Sequence, residues 1–348
     1  MHSPSDWRSR AQAAVDAKTK PLGALGQIEA LAVQLAELQQ TLAISVDPVR
    51  TVVFAADHGV SLAGVSAYPR SVTAEMLRNF AANGAAVNAF ARAIGSSVEI
   101  VDVGVDAEPE VLALTGIVRA SVGRGCGAIH AEPAMSEAQL AQAMAAGAAA
   151  VDRARASGCR LMCLGEMGIG NTTSAAALGA ALCGAAAAQL VGPGTGLNAT
   201  RIEHKRAIVE QALARHRRDF ALDEGPQAAR QALASLGGFE IAALAGAMLA
   251  AGRLGVAVLV DGFIVSAAAL AAVRIDPAIA PALFYAHRSA EPGHQLLLQA
   301  LAARPLLDLQ LRLGEGTGAL LAVPLLRAAC AMLNDMASFD SAGVSHAL

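Results

Sequence analysis

Apolar residues follow two different periods along this chain. Between residues 5 and 40 they fall at 25, 28, 31, 32, 35 and 38, one face of a 3.6-residue repeat, so the region is predicted helical around a turn at 20–26. Short unbroken apolar runs at 51–56, 98–101, 161–164, 256–260 and 282–286 predict buried strands instead. Helical patterns lie between them: 72–94 closed by Gly95, 136–156 opened by the Ser136 and Gln139 capping pair and ended by Gly158, a run from Ser174, one from Asn198, and 239–251. A last apolar helix follows a turn at 311–319. Strand and helix alternate, which predicts an α/β fold built on a parallel, doubly wound sheet.

The predicted strands run into Asp57, Asp102, Glu166, Asp261 and His287. Polar groups therefore gather at the carboxyl edge of the sheet, where such folds bind ligands, although at least two of the five are expected to be helix caps. The stretch LMCLGEMGIGNTTS (161–174) reads as a strand, a loop with Gly165, Gly168 and Gly170 around a single Glu166, and a helix start with Asn171, Thr172 and Thr173 as candidate N-caps. Backbone N–H groups and a helix dipole aimed at one spot suit a phosphate; the plainer reading is an ordinary strand-to-helix turn with a solvated acid. The pattern G-x-G-T-G occurs twice, at 192–196 and 314–318, and the second copy carries Glu315. Glu315 lies among Leu311, Leu313, Leu320 and Leu321 in sequence, a setting that raises a carboxylate's pKa and makes it the best candidate base, with a turn residue in water as the alternative.

Composition narrows the classes. At 348 residues with 3% aromatic residues and 33 glycines, the chain predicts a large domain with a smaller appendage and a core of Ala, Leu and Val. A net charge of −3 without any Lys/Arg run argues against nucleic acid and acidic lipid. Cysteines at 126, 159, 163, 183 and 330 form no C-x-x-C pair, and MHSPSDWRSRAQ has no signal-peptide core, so a cytoplasmic protein with reduced thiols is expected. Of two long apolar runs, 174–191 is alanine and glycine, and 254–273 holds Asp261, whose insertion costs roughly 2.5–3.5 kcal/mol; no membrane span is expected. His287, Glu291 and His294 have the residue types of a metal site, but Pro292 and Gly293 break the helix that would align them, so no metal is expected. Asp57 and His58 could be half of a nucleophile triad, yet no G-x-S-x-G elbow accompanies them, and the dinucleotide and Walker A fingerprints are absent. Group transfer on a phosphorylated sugar fits better than redox chemistry or nucleotide hydrolysis.

The blocks KPLGALGQIE (20–29), AADHGV (55–60), YPRSVTAEM (68–76), LGEMGIGNTTSAA (164–176), GPGTGL (192–197) with Lys205, LGGFEIAALAGA (236–247), LVDGFI (259–264), HRSAEPGH (287–294) and LRLGEGTGA (311–319) closely resemble, in order, the nicotinate-nucleotide:dimethylbenzimidazole phosphoribosyltransferase family. The resemblance implies a Rossmann-like large domain (41–304) and a small helical domain made from both chain ends (1–40 plus 305–348). It implies transfer of 5-phosphoribosyl from nicotinate mononucleotide to 5,6-dimethylbenzimidazole, giving α-ribazole 5′-phosphate and nicotinate for cobalamin assembly, in a homodimer without cofactor or metal. By matching motif, Glu315 is the general base, and Glu166, Gly168 and Lys205 line the nucleotide site with Asp261 and Gly262 nearby. Gly170, Asn171, Thr172, Gly194, Gly196, Ser289, Arg312 and Gly314 complete the expected binding set. This chain departs from the family at Ser71, where an acid usually precedes Val-Thr, and at Ala24 in place of a serine. Arg70 and Arg78 fall at expected base-pocket positions. The acceptor could therefore be adenine or another benzimidazole, and a non-catalytic nicotinate-nucleotide-binding protein stays open.

Overall fold

The computed structural model describes residues 4–194, 196–219 and 225–345. At its centre lie six parallel strands, β1 (Val49–Ala56), β2 (Ser97–Gly104), β3 (Ile117–Arg119), β4 (Leu161–Met167), β5 (Ala257–Val260) and β6 (Leu283–Tyr285), ordered β3-β2-β1-β4-β5-β6. The chain builds outward from β1, returns to β4 and builds outward the other way. Strand order thus reverses between β1 and β4, and the crevice beyond their carboxyl ends is where doubly wound sheets take ligands.

Helices cover both faces: α1 (Pro4–Asp16), α2 (Gln27–Gln39), α3 (Val72–Ala81), α4 (Ala86–Ile94), α5 (Pro109–Leu112), α6 (Glu137–Ala156), α7 (Asn171–Cys183), α8 (Ala187–Leu190), α9 (Ala199–Asp219), α10 (Pro226–Leu236), α11 (Phe239–Arg253), α12 (Phe263–Ile275), α13 (His294–Ala300), α14 (Thr317–Asp335) and α15 (Phe339–Ala342). Strand side chains alternate between two cores. Val52, Phe54, Met162 and Leu164 pack under α6, α7 and α9 to α12; Val53, Ala55, Leu161 and Cys163 pack under α2, α4 and α14. Burial on both faces is why the strands read as unbroken apolar runs. Helix α14 has 19 residues and a mean hydropathy of 1.4, long and apolar enough to cross a membrane, but most of it is buried in the second core. The 254–273 run divides into β5, the Asp261–Gly262 turn and α12, and the alanine run from 174 is α7 with α8.

Three sequence expectations need correction. Strand β4 continues through Gly165, Glu166 and Met167, which pair with Val53, Phe54 and Ala55 of β1, so Glu166 stands on a strand and not in a loop. Gly165 marks close approach: the backbone of Glu315 and Gly316 lies against it, leaving no room for a Cβ. Residues 72–94 are two helices, because Asn83 turns left-handed (φ 59°) after α3 and Asn88 Oδ1 accepts the Ala85 N–H (3.2 Å) to open α4. Helix α7 is capped by Gly170 (φ 99°), which places Asn171, Thr172 and Thr173 inside its first turn. The short β3 carries too few apolar positions to predict a strand; α10, by contrast, has Ala229, Ala232, Leu233 and Leu236 at helical spacing after Pro226 and was legible though not predicted.

Candidate active site

A cavity of about 330 Å³ opens beyond β4 and β5, within the usual range of roughly 300–1,000 Å³ for small-molecule sites. Three carboxylates meet in its wall: Glu166 from the end of β4, Asp261 after β5, and Glu315 in the turn before α14. Glu166 is buried and its Oε2 accepts from the Asn171 side-chain amide. Burial first, and the Glu240 charge second, push its pKa up to about 8 against the Asn171 bond. Asp261 Oδ1 accepts the Ala319 N–H at 2.8 Å and stands 3.6 Å from His287 Nε2, so this acid caps α14 from a distance; burial raises its pKa above the usual value against His287 and the backbone N–H groups.

Glu315 sits at φ 62° between Gly314 (91°) and Gly316 (78°), three left-handed residues in a row. For a glutamate this backbone costs roughly 1–2 kcal/mol, so the turn is held by its surroundings. The side chain is buried, and Oε2 accepts the Val87 N–H (3.2 Å) in the first turn of α4. The break between α3 and α4 is what frees that N–H. Burial raises the Glu315 pKa, opposed by Val87 and helped by Asp261. The neighbouring leucines contribute less than the sequence suggests, since Leu313 is 61% exposed while Leu320 is buried.

At the other end Lys205 of α9 is buried, with Nζ donating to Thr172 Oγ1 (2.9 Å) and the Gly192 carbonyl (3.3 Å). Burial lowers its pKa to about 8, with Glu291 pulling the other way. Arg312 donates to the Gly194 carbonyl (3.1 Å), and Ser289 Oγ donates to the Leu311 carbonyl (3.1 Å). Gly168, Asn171, Thr172, Gly194, Gly262, Ser289, Arg312 and Gly314 all line the cavity. Lys205 is one layer behind Thr172 and Gly194, Gly170 packs on Ser61, and Gly196 is exposed to solvent; none of the three is in the wall. Thr195 of the GPGTG loop lies outside the described residues.

Arg70 and Arg78 are not in the cavity. Arg70 faces Asp57 (3.4 Å) and Asp106 (3.3 Å), and Arg78 is exposed on α3. Val72 and Met76, four apart on α3, face the cavity instead, and a residue two positions further along turns away from it. Together with Tyr68, Ile169 and Phe263 they make an apolar wall that sequence reasoning missed; the i, i+4 spacing of Val72 and Met76 was its one signal. Asp57 and Asp102 hold loops, accepting the Asp106 N–H (2.8 Å) and the Val105 N–H (2.8 Å) respectively. His58 is fully buried between Ser174 Oγ (2.9 Å) and Glu240 Oε1 (2.6 Å), sealed from any substrate; burial disfavours its charge, but Glu240 overrides this and raises its pKa well above normal. His294 uses both ring nitrogens, accepting the Ser289 N–H (2.8 Å) and meeting Ser266 Oγ (2.9 Å). Among the described residues no group of three or more His, Cys, Asp or Glu is placed to hold a metal ion.

One end of this cavity can hold an anion and the other presents carboxylates beside an apolar wall, a layout suited to a phosphorylated sugar carrying a flat ring. A family model described as "Phosphoribosyltransferase" matches residues 2–344. The chain is 50% identical over 356 residues to the nicotinate-nucleotide–dimethylbenzimidazole phosphoribosyltransferase of Pseudomonas putida (strain W619), covering 99% of each chain. It is 52% identical to that of Ralstonia nicotianae, over 97% of this chain and 93% of the relative. The crystal structure of CobT from Thermus thermophilus is similar at a TM-score of 0.92 and 44% identity, over 98% of this chain and 100% of that one.

Proposed function

The chain belongs to the phosphoribosyltransferase family of these nicotinate-nucleotide–dimethylbenzimidazole enzymes, and from that premise we propose that it moves 5-phosphoribosyl from nicotinate mononucleotide to 5,6-dimethylbenzimidazole. The products are α-ribazole 5′-phosphate and nicotinate. One ring nitrogen of the acceptor attacks the anomeric carbon as nicotinate departs, in a single displacement that inverts this centre. The other nitrogen must then lose its proton, and Glu315 accepts it. Glu166 faces the sugar as it becomes oxocarbenium-like; neutral below about pH 8, it stabilises that charge through its carbonyl dipole, and as a full carboxylate only above that pH. The backbone at Gly168 and Gly194, backed by Lys205, holds the phosphate and fixes the sugar for attack.

The observation that carries this reading is a buried carboxylate, Glu315, opening into an apolar-walled cavity whose far end is lined by glycine backbone and Arg312. Its proton-free form is the active one, so turnover rises with pH through its elevated pKa. The test is to incubate purified protein with nicotinate mononucleotide and a panel of bases, 5,6-dimethylbenzimidazole and adenine included, and to identify any ribotide by mass. Ribotide from dimethylbenzimidazole with release of nicotinate supports the proposal; binding without release would make the chain a nucleotide-binding protein, and adenine as the preferred base would change the acceptor.

The family resemblance also carries a homodimer in the cytoplasm, with residues 1–40 and 305–348 as a small helical domain. The Thr19 N–H bond to the Ala337 carbonyl (3.0 Å), exposed Leu22 and Leu62 (76% each), and five unpaired cysteines support these readings. Sedimentation velocity at the mass of one chain would remove the dimer.

A further inference from the structure

The phosphate end of the cavity holds a charge that the reaction above does not use. Glu291, in the turn between β6 and α13, is 5% exposed and lines the cavity, yet neither carboxylate oxygen makes a hydrogen bond of ordinary geometry, the Gly194 N–H only facing the group. An ionised carboxylate buried in this way is unfavourable by several kcal/mol and calls for a partner that arrives later. Gly192 packs so tightly on Oε2 that a Cβ would collide with it, and the Gly194 N–H, Lys205 of α9 and Arg312 before α14 face the group. On its own segment His294 is committed to Ser266 and Ser289, Arg288 pairs with Asp308 at the surface, and His287 turns to Asp261. The other charged groups of the cavity are Glu166, Asp261 and Glu315, at its carboxylate end.

A phosphate seated against Gly194, Ser289 and Arg312 must lie beside this carboxylate. Two anions at hydrogen-bonding range in a low dielectric repel strongly. One proton between them converts the repulsion into a charge-assisted O–H···O bond, about twice as strong as a neutral one. We propose that Glu291 binds the donor's phosphate as a carboxylic acid, sharing its proton with a phosphate oxygen, so that entry of a phosphomonoester draws one proton into the site. The second oxygen is then left to accept the Gly194 N–H, and both orphaned atoms are satisfied. Burial already raises the Glu291 pKa, outweighing Lys205, the Gly194 N–H and Arg312. The proposal rests on the reading that the donor's phosphate occupies this end.

The test is titration calorimetry of nicotinate mononucleotide into the full chain, in buffers of different ionisation enthalpy, for wild type and Glu291→Gln, with nicotinate riboside as the phosphate-free control. Wild type takes up a proton on binding, the uptake growing toward one as pH rises from about 6.5 to 8, and its affinity falls with pH in step. Glu291→Gln, which keeps a neutral donor, binds with little uptake and less than about threefold pH dependence, and the riboside draws no proton into wild type. Binding by wild type without uptake, or equal uptake by the variant, would overturn the proposal and leave the transferase reading standing. No binding of the mononucleotide to wild type would overturn both. Should the variant not fold, the wild-type proton count decides alone.

Discussion

Substituting Gly165 by alanine tests whether β4 sets the position of Glu315. The added Cβ would stand 2.6 Å from the Glu315 carbonyl oxygen and closer still to Glu315 C and Gly316 N, all backbone atoms. Ordinary contact is about 3.5 Å, so something must move by roughly 1 Å. Strand β4 is pinned, with Gly165 opposite Val53 of β1 and Leu161 to Leu164 paired to β5, so the turn is what retreats. Overpacking of this kind costs about 1–3 kcal/mol, a few degrees in Tm for a chain of this size. A 1 Å misplacement near reacting groups costs about 10²-fold in rate. Gly165→Ala is therefore expected to fold and to bind nicotinate mononucleotide by calorimetry, while its nicotinate release, followed by chromatography, drops about 10²-fold. A folded variant with wild-type kcat would show that the turn does not depend on this contact.

Glu166 gives a stability prediction with a definite sign. Folded, it keeps its proton up to about pH 8, whereas unfolded it loses it near 4.5, so its contribution is complete below the lower value and drains away as pH rises through this window. Glu166→Gln should flatten the fall in Tm expected for wild type between pH 5 and 8; identical slopes by calorimetry would show the carboxyl is not protonated in the fold. Lys205→Met removes the buried cation behind Thr172 and Gly194, and nicotinate mononucleotide should bind about 10-fold more weakly, through the lost attraction of a nearby buried positive charge for the phosphate. Wild-type affinity should also weaken above about pH 8 as Lys205 deprotonates, a step that the Met variant lacks. Unchanged affinity in the variant would take Lys205 out of donor binding.

Much of this architecture is readable from the chain because apolar strands buried on both faces announce themselves, and because a parallel sheet collects its strand-end acids on one rim. Glu166 and Asp261 are far apart in sequence but meet for that reason, and the turn before α14 brings Glu315 to the same rim. What escaped notice depends on partners that no local window contains. Gly165 looks like a loop residue until β1 pairs with it and the Glu315 turn packs on it. The end of α3 at Asn83 is hidden by apolar periodicity that continues across it, yet it supplies the Val87 N–H to Glu315. Arg70 sits in the right motif and faces the wrong way, because Asp57 and Asp106 wait on the other side. Glu291 suggested a metal ligand by residue type alone; only its burial without partners exposes the question it poses.

The central claim is that Glu315 takes the proton from the attacking ring. Glu315→Gln keeps the shape and can still accept the Val87 N–H, so it removes the base and little else. The most direct measurement is nicotinate released per second by this variant at saturating nicotinate mononucleotide and 5,6-dimethylbenzimidazole, with donor affinity measured alongside. Unchanged affinity and a kcat lower by about 10²-fold or more, the range of lost acid–base catalysis, is the predicted result; a wild-type kcat would contradict it.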